Sequence, residues 1–155
     1  MNVRKLMVVV VAGAALLGAV ACSDDNSSNV ERFTATLTGA SEVPPVTTTA
    51  TGTATVEFTA TGISWVVNVT GIQNVTASHI HGPAPVGTNA QVVVNLNPNT
   101  TVTTGLLASG SATTTSIATI SIDSLKKMIR NGQAYVNVHN TANPGGHIRG
   151  QLVKQ

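Results

Sequence analysis

Four histidines, at positions 79, 81, 139 and 147, are the most chemically informative residues of this 155-residue chain. His79-Ile80-His81 is an H-x-H. On an extended strand, side chains two apart share a face and their Cα atoms lie about 6.5–7 Å apart. Two neutral imidazoles at that spacing can converge on one metal ion of the kind imidazole favours: copper, zinc or nickel. In Tyr135-Val136-Asn137-Val138-His139, the alternation turns Val136 and Val138 toward a core and His139 to the opposite face. Ile80 turns inward in the same way. His79, His81 and His139 therefore all face out, and two neighbouring strands would present three imidazoles to one site. His147 and Arg149 share a face of the final strand. His147 is thus a candidate fourth ligand, and Arg149 a candidate anion-binding group beside the metal. The competing reading is ordinary surface histidines, because an H-x-H alone is a weak motif and a solvated turn suits His147 better than a ligand role does.

Little else in the chain could do chemistry. Beyond Glu31 the only acids are Glu42, Glu57 and Asp123, and no motif pairs them, so two-carboxylate hydrolysis has no support. There is no G-x-S-x-G elbow and no glycine-rich loop that follows a strand and opens a helix. No residue is therefore assigned as catalytic, and the balance falls against an enzyme. Only 9% of residues are charged, against about 25% in an ordinary domain. That excludes a basic nucleic-acid binder despite a pI near 9.0. The single cysteine, Cys22, excludes an internal disulfide.

The elements that must position the histidines are strands. Threonine is the most abundant polar residue and valine is nearly as frequent, and β-branched side chains fit a pleated surface. Period-2 alternation predicts strands over 32–40, 51–59, 63–69, 75–81, 91–96, 116–122, 133–139 and 147–153, with 105–111 weakly patterned. Segment 91–96 is apolar on both faces and reads as buried. Pro44 and Pro45 make an edge or loop segment. Residues 121–131 instead carry Leu125, Met128 and Ile129 at helical spacing. Ser121 or Asp123 can cap that helix, Lys126, Lys127 and Arg130 lie toward its end, and Asn131-Gly132 stops it. About eight short strands with one short helix near 122–131 give an all-β, antiparallel sandwich or Greek-key barrel.

The first 21 residues are read as an address rather than as fold. Arg4 and Lys5 precede an apolar run, and Ala19-Val20-Ala21 supplies small residues before Cys22. This resembles a bacterial lipoprotein signal, although Ala19 stands where Leu is usual; the alternative is an ordinary secretory signal with a chance cysteine. The resemblance implies that Cys22 becomes a lipidated N-terminus that anchors the chain to a membrane in the cell envelope, facing away from the cytoplasm. Residues 22–31 then form a short polar tether, and 32–155 the folded domain. Two of the eight basic residues lie in the leader and all six acids lie beyond it, so the rest of the chain has no net side-chain charge.

Four blocks in order carry a further resemblance: Leu37–Val46 (LTGASEVPPV), Ser78–Ala84 (SHIHGPA), Tyr135–His139 (YVNVH) and Asn143–Leu152 (NPGGHIRGQL). They resemble the CHRD (chordin-type) domain over about Phe33 to Leu152, with one departure: the family usually has Glu where His147 stands. The resemblance implies an immunoglobulin-like β-barrel with limited similarity to copper/zinc superoxide dismutases, and no general biochemical function. By that distant similarity, His79 and His81 resemble the dismutase H-x-H copper ligands and His139 its later copper ligand. Arg149 is similar to its superoxide-guiding arginine. The bridging histidine, the zinc loop and the disulfide have no counterpart, so what is implied is a three-histidine copper site without zinc.

Three readings follow. The first is a non-catalytic, surface-anchored module that binds a protein or matrix partner, with or without a metal. The second is a copper-dependent, dismutase-like enzyme using His79, His81 and His139. The third is a copper carrier with the same ligands and no turnover.

Overall fold

A computed structural model describes residues 30–115 and 120–155. Among the described residues there are nine strands: β1 (Arg32–Thr38), β2 (Thr51–Phe58), β3 (Ile63–Thr70), β4 (Val75–His81), β5 (Val92–Asn95), β6 (Gly105–Ala112), β7 (Tyr135–Asn140), β8 (Ile148–Gln151) and β9 (Val153–Lys154). One helix, α1 (Ile122–Arg130), lies between β6 and β7. The strands form one antiparallel sheet in the order β5-β4-β7-β8-β1-β2-β3-β6, with β9 also paired to β1, and the sheet curls into a half-barrel.

One face of the sheet carries the core. Phe33, Ala35 and Leu37 of β1 are buried on one face, as are Ala54, Val56 and Phe58 of β2 and Ile63, Trp65, Val67 and Val69 of β3. Phe33 packs on Phe58 with ring centroids 4.8 Å apart. The threonines on alternate positions coat the other face of β1 and β2. The helix closes one end by burying Leu125, Met128 and Ile129. Its N-cap is Ser121, whose side chain accepts from the Ser124 N–H, and Lys127 and Arg130 stand in its last turn.

Four expected elements are adjusted. Of the strand expected over 116–122, residues 116–119 lie outside the described residues. The rest is not strand: Ile120 is a bend and Ile122 opens α1, because the Ser121 cap competes with the isoleucine alternation and wins. The first strand ends at Thr38, where Gly39–Ser41 makes a single 3-10 turn. The last expected strand starts at Ile148 and breaks at Leu152, whose N–H donates to the Ala134 carbonyl. Segment 91–96 forms a strand at one end of the sheet; Val93 and Val94 are buried there, but Val92 is only half-buried. The leader, Cys22 and the tether up to residue 29 lie outside the described residues. No helix among those described is long and apolar enough to cross a membrane.

For function the important adjacency is β4-β7-β8. Their register places His81 opposite Tyr135 and Tyr135 opposite Gln151. One step along, His79 faces Asn137 and Asn137 faces Arg149, and Ala77 faces His139. Period-2 geometry then sets Tyr135, Asn137, His139, His79, His81 and Arg149 on one face, with Ile80, Val136, Val138 and Ile148 in the core behind them.

Candidate metal centre

The three histidines meet. His79, His81 and His139 each offer one ring nitrogen, and these atoms lie within 4.8 Å of one another. The ring centroids are 4.8 Å (79–139), 5.4 Å (79–81) and 5.7 Å (81–139) apart. They do not face solvent, as alternation alone suggested. His81 and His139 are each only 7% exposed, because the segments 42–46, 84–91 and 141–147 fold over that side of the sheet. Only His79 is half-buried.

Backbone carbonyls assign the tautomers. The His81 Nδ1 lies 3.0 Å from the Ala90 oxygen, and the His139 Nδ1 lies 3.0 Å from the Pro144 oxygen. A carbonyl only accepts, so both Nδ1 atoms carry the proton and both Nε2 atoms keep a lone pair. The His139 Nε2 is in turn 3.0 Å from the His79 Nδ1, which must donate to it. The His81 Nε2 is buried and has no partner. An orphaned imidazole lone pair in a buried site is costly, and a metal ion would satisfy it. The residues therefore fit a transition metal: two Nε2 lone pairs are aimed inward, and a third becomes available when the His79 proton moves to its other nitrogen.

Burial also keeps the rings neutral. Desolvation lowers the pKa of His81 from the ordinary 6.5 to about 4, against an opposing effect of the Ala90 hydrogen bond. Desolvation lowers His79 and His139 as well; the neighbouring His139 adds to the effect at His79, and the Pro144 bond opposes it at His139. Burial therefore favours the neutral imidazole, the form that can coordinate a metal.

The remaining sequence candidates lie elsewhere or are already engaged. His147 is not in the cluster: its Nε2 meets the Thr48 hydroxyl at 3.0 Å and its Nδ1 the Asn143 amide at 2.9 Å. It falls in the turn before β8 rather than on the strand. Arg149 is on the site's face but buried, and it donates to the Thr88 carbonyl (2.7 Å) and the Asn89 Oδ1 (3.0 Å). Its guanidinium lies 3.4 Å from the centre of the Tyr135 ring, and that ring stacks on His81 at 4.9 Å and 3°. Two of its donors are thus committed to the segment that covers the site.

Sequence reasoning missed three neighbours. Tyr135 and Asn137 lie four and two residues before His139, so the same period-2 rule would have placed them beside it. Glu42 comes from the Pro-rich segment and carried no such signal. It is buried and receives the Asn137 amide at 3.5 Å; its Oε1 and the Asn137 Oδ1 have no partner. Burial raises its pKa from 4.5 to about 7, with Arg149 and the Asn137 bond pulling the other way. Gly146 makes this packing possible. Its φ is +143°, and a Cβ there would stand 2.6 Å from both the Glu42 Oε2 and the Asn137 Nδ2.

The family model for the CHRD domain matches residues 33–152. The chain belongs to the CHRD-domain family. The match begins at Phe33 in β1 and ends at Leu152 just after β8, so it encloses all three histidines and every strand of the site. No curated protein and no solved structure matches the chain. For this CHRD domain, what can be said of the site rests on its own geometry.

Proposed function

We propose that this protein is a lipid-anchored, extracytoplasmic CHRD-domain module whose chemistry is the binding of one transition-metal ion, copper by preference, through His79, His81 and His139. The observation that carries the reading is the convergence of three neutral ring nitrogens with one buried lone pair, that of His81 Nε2, left without a partner. An all-imidazole set with no carboxylate or thiolate suits copper and zinc, and among divalent ions copper binds such sites most strongly. When bound, the metal would supply Lewis acidity and, if copper, one-electron redox capacity. The chain's own residues orient the rings through Ala90 and Pro144, exclude water through the covering loops and keep the imidazoles unprotonated.

Anchoring is proposed from the leader and Cys22 of the sequence. A non-catalytic role is proposed from the sequence, which carries no paired carboxylates, nucleophile elbow or nucleotide loop. The test is to load the full chain, in detergent, with copper or zinc and to measure stoichiometry and superoxide turnover. About one equivalent of tight metal is expected, lost in His81→Ala. Well under half an equivalent would overturn the metal reading. Fast superoxide turnover by the copper form would replace the binding module with a dismutase-like enzyme.

A further inference from the structure

The segment that covers His81 has no hydrophobic anchor of its own. From Pro85 to Asn89 every residue is exposed, with Val86 at 78%, and Ala90 is only half-buried. This strap is held down by polar contacts. Arg149 donates to the Thr88 carbonyl and the Asn89 side chain. The Tyr135 hydroxyl accepts from the Ala90 N–H at 3.0 Å, and the Asn89 amide donates to the Val43 carbonyl at 3.0 Å. The strap's inner side carries the Ala90 carbonyl, the acceptor for His81 Nδ1. His139 takes its carbonyl from Pro144, on a different loop.

We infer that Arg149 is a positioning residue: it fastens the Pro85–Ala90 strap over Tyr135, so that the Ala90 carbonyl holds His81 with its Nε2 lone pair turned toward His79 and His139. Arginine suits the task for three reasons. Its planar fork serves two acceptors at once and stacks on an aromatic face, and its charge strengthens both bonds. The inference deepens the metal reading by naming what orients one ligand, and it gives Arg149 a role that needs no anion.

The experiment uses the full chain in detergent, uniformly 15N-labelled and metal-free, and reads the histidine ring-nitrogen resonances together with Ala90 amide exchange. Wild type should show His81 and His139 both protonated at Nδ1. Asn89→Ala and Arg149→Lys each keep the buried charge but lose at least one strap bond. In both, His81 should divide between its two tautomers and the Ala90 amide should exchange at least about tenfold faster, while His139 stays as in wild type. Metal affinity should fall by about 10–100-fold, the usual effect of removing a group that orients a ligand. Asn89 is exposed, so its variant folds even if Arg149→Lys does not. The positioning role is overturned if the His81 tautomer and Ala90 exchange are unchanged in these variants, or if His139 changes as much as His81. The two proposals fail separately: absence of metal binding in wild type would remove the metal reading, and the metal-free spectra would still decide the role of Arg149.

Discussion

The two ends of the half-barrel treat charge in opposite ways. At the start of β1, Glu31 meets Arg130 and Lys154, Arg32 meets Glu57, and Lys126 and Arg130 lie over the Phe58 ring. Every charged side chain among the described residues, apart from Glu42 and Arg149, lies in this group or on α1. These groups are largely exposed, share partners and remain hydrated. About six residues along β1, Thr38 pairs with Arg149 and the histidine face begins. There most polar groups are buried, burial favours neutral imidazoles, and His81, His139 and Arg149 each donate to a single backbone carbonyl. Exposed ion pairs are redundant and contribute little, whereas a buried polar group without its single partner costs the full desolvation. The first end tolerates change, and the second is specified atom by atom.

The largest effect is expected at the charged end, where the stabilisation should reside in the apolar contact beneath the charges. Phe58→Ala removes the ring that packs on Phe33 and should cost about 3–5 kcal/mol in urea denaturation. A loss no larger than that of an ion-pair variant would contradict the contrast. At the other end, His139→Ala should lower copper affinity by more than about 100-fold, beyond the range for an outer partner, with the far-UV spectrum unchanged. Titration calorimetry would read it.

Two opposed pH dependences sharpen the contrast. The folded pKa of His81, about 4, lies below the ordinary 6.5, so folding releases a proton between those values. Metal-free protein should then lose stability as pH falls from about 6.5 to about 4. The folded pKa of Glu42, about 7, lies above the ordinary 4.5, so folding takes up a proton and stability falls as pH rises from about 4.5 to about 7. Glu42→Gln should abolish the second fall, becoming more stable relative to wild type at pH 8 than at pH 4. Parallel melting curves across that range would refute the buried carboxyl. The smallest effect belongs to Glu31→Gln. Arg130 holds the Glu31 carboxyl below its usual range, but the pair is exposed, so thermal melting should not move measurably at physiological salt.

Much of the site was legible because strands obey a period of two. That rule alone put His79 with His81, turned Ile80, Val136 and Val138 inward and sent His139 to the histidine side. Ser121 and Asn131 marked the helix, since caps are local chemistry. His147 was misplaced because a strand start was read one residue early, and the turn then hands its ring to Thr48 and Asn143. Glu42 was invisible as a site residue: it lies 95 residues from Asn137 in sequence, and no local pattern reports such a contact.

Most of the strands, the helix, the family blocks and the shared face of His79, His81 and His139 follow from the sequence, because they depend on spacing and side-chain shape along a few consecutive residues. Only the tertiary structure decided that β4 lies beside β7 and β7 beside β8, that loops bury the histidine face, and that Ala90 and Pro144 assign the imidazole protons. Those outcomes depend on which distant backbone atoms come within hydrogen-bond reach when the sheet curls, and spacing along the chain does not encode that distance.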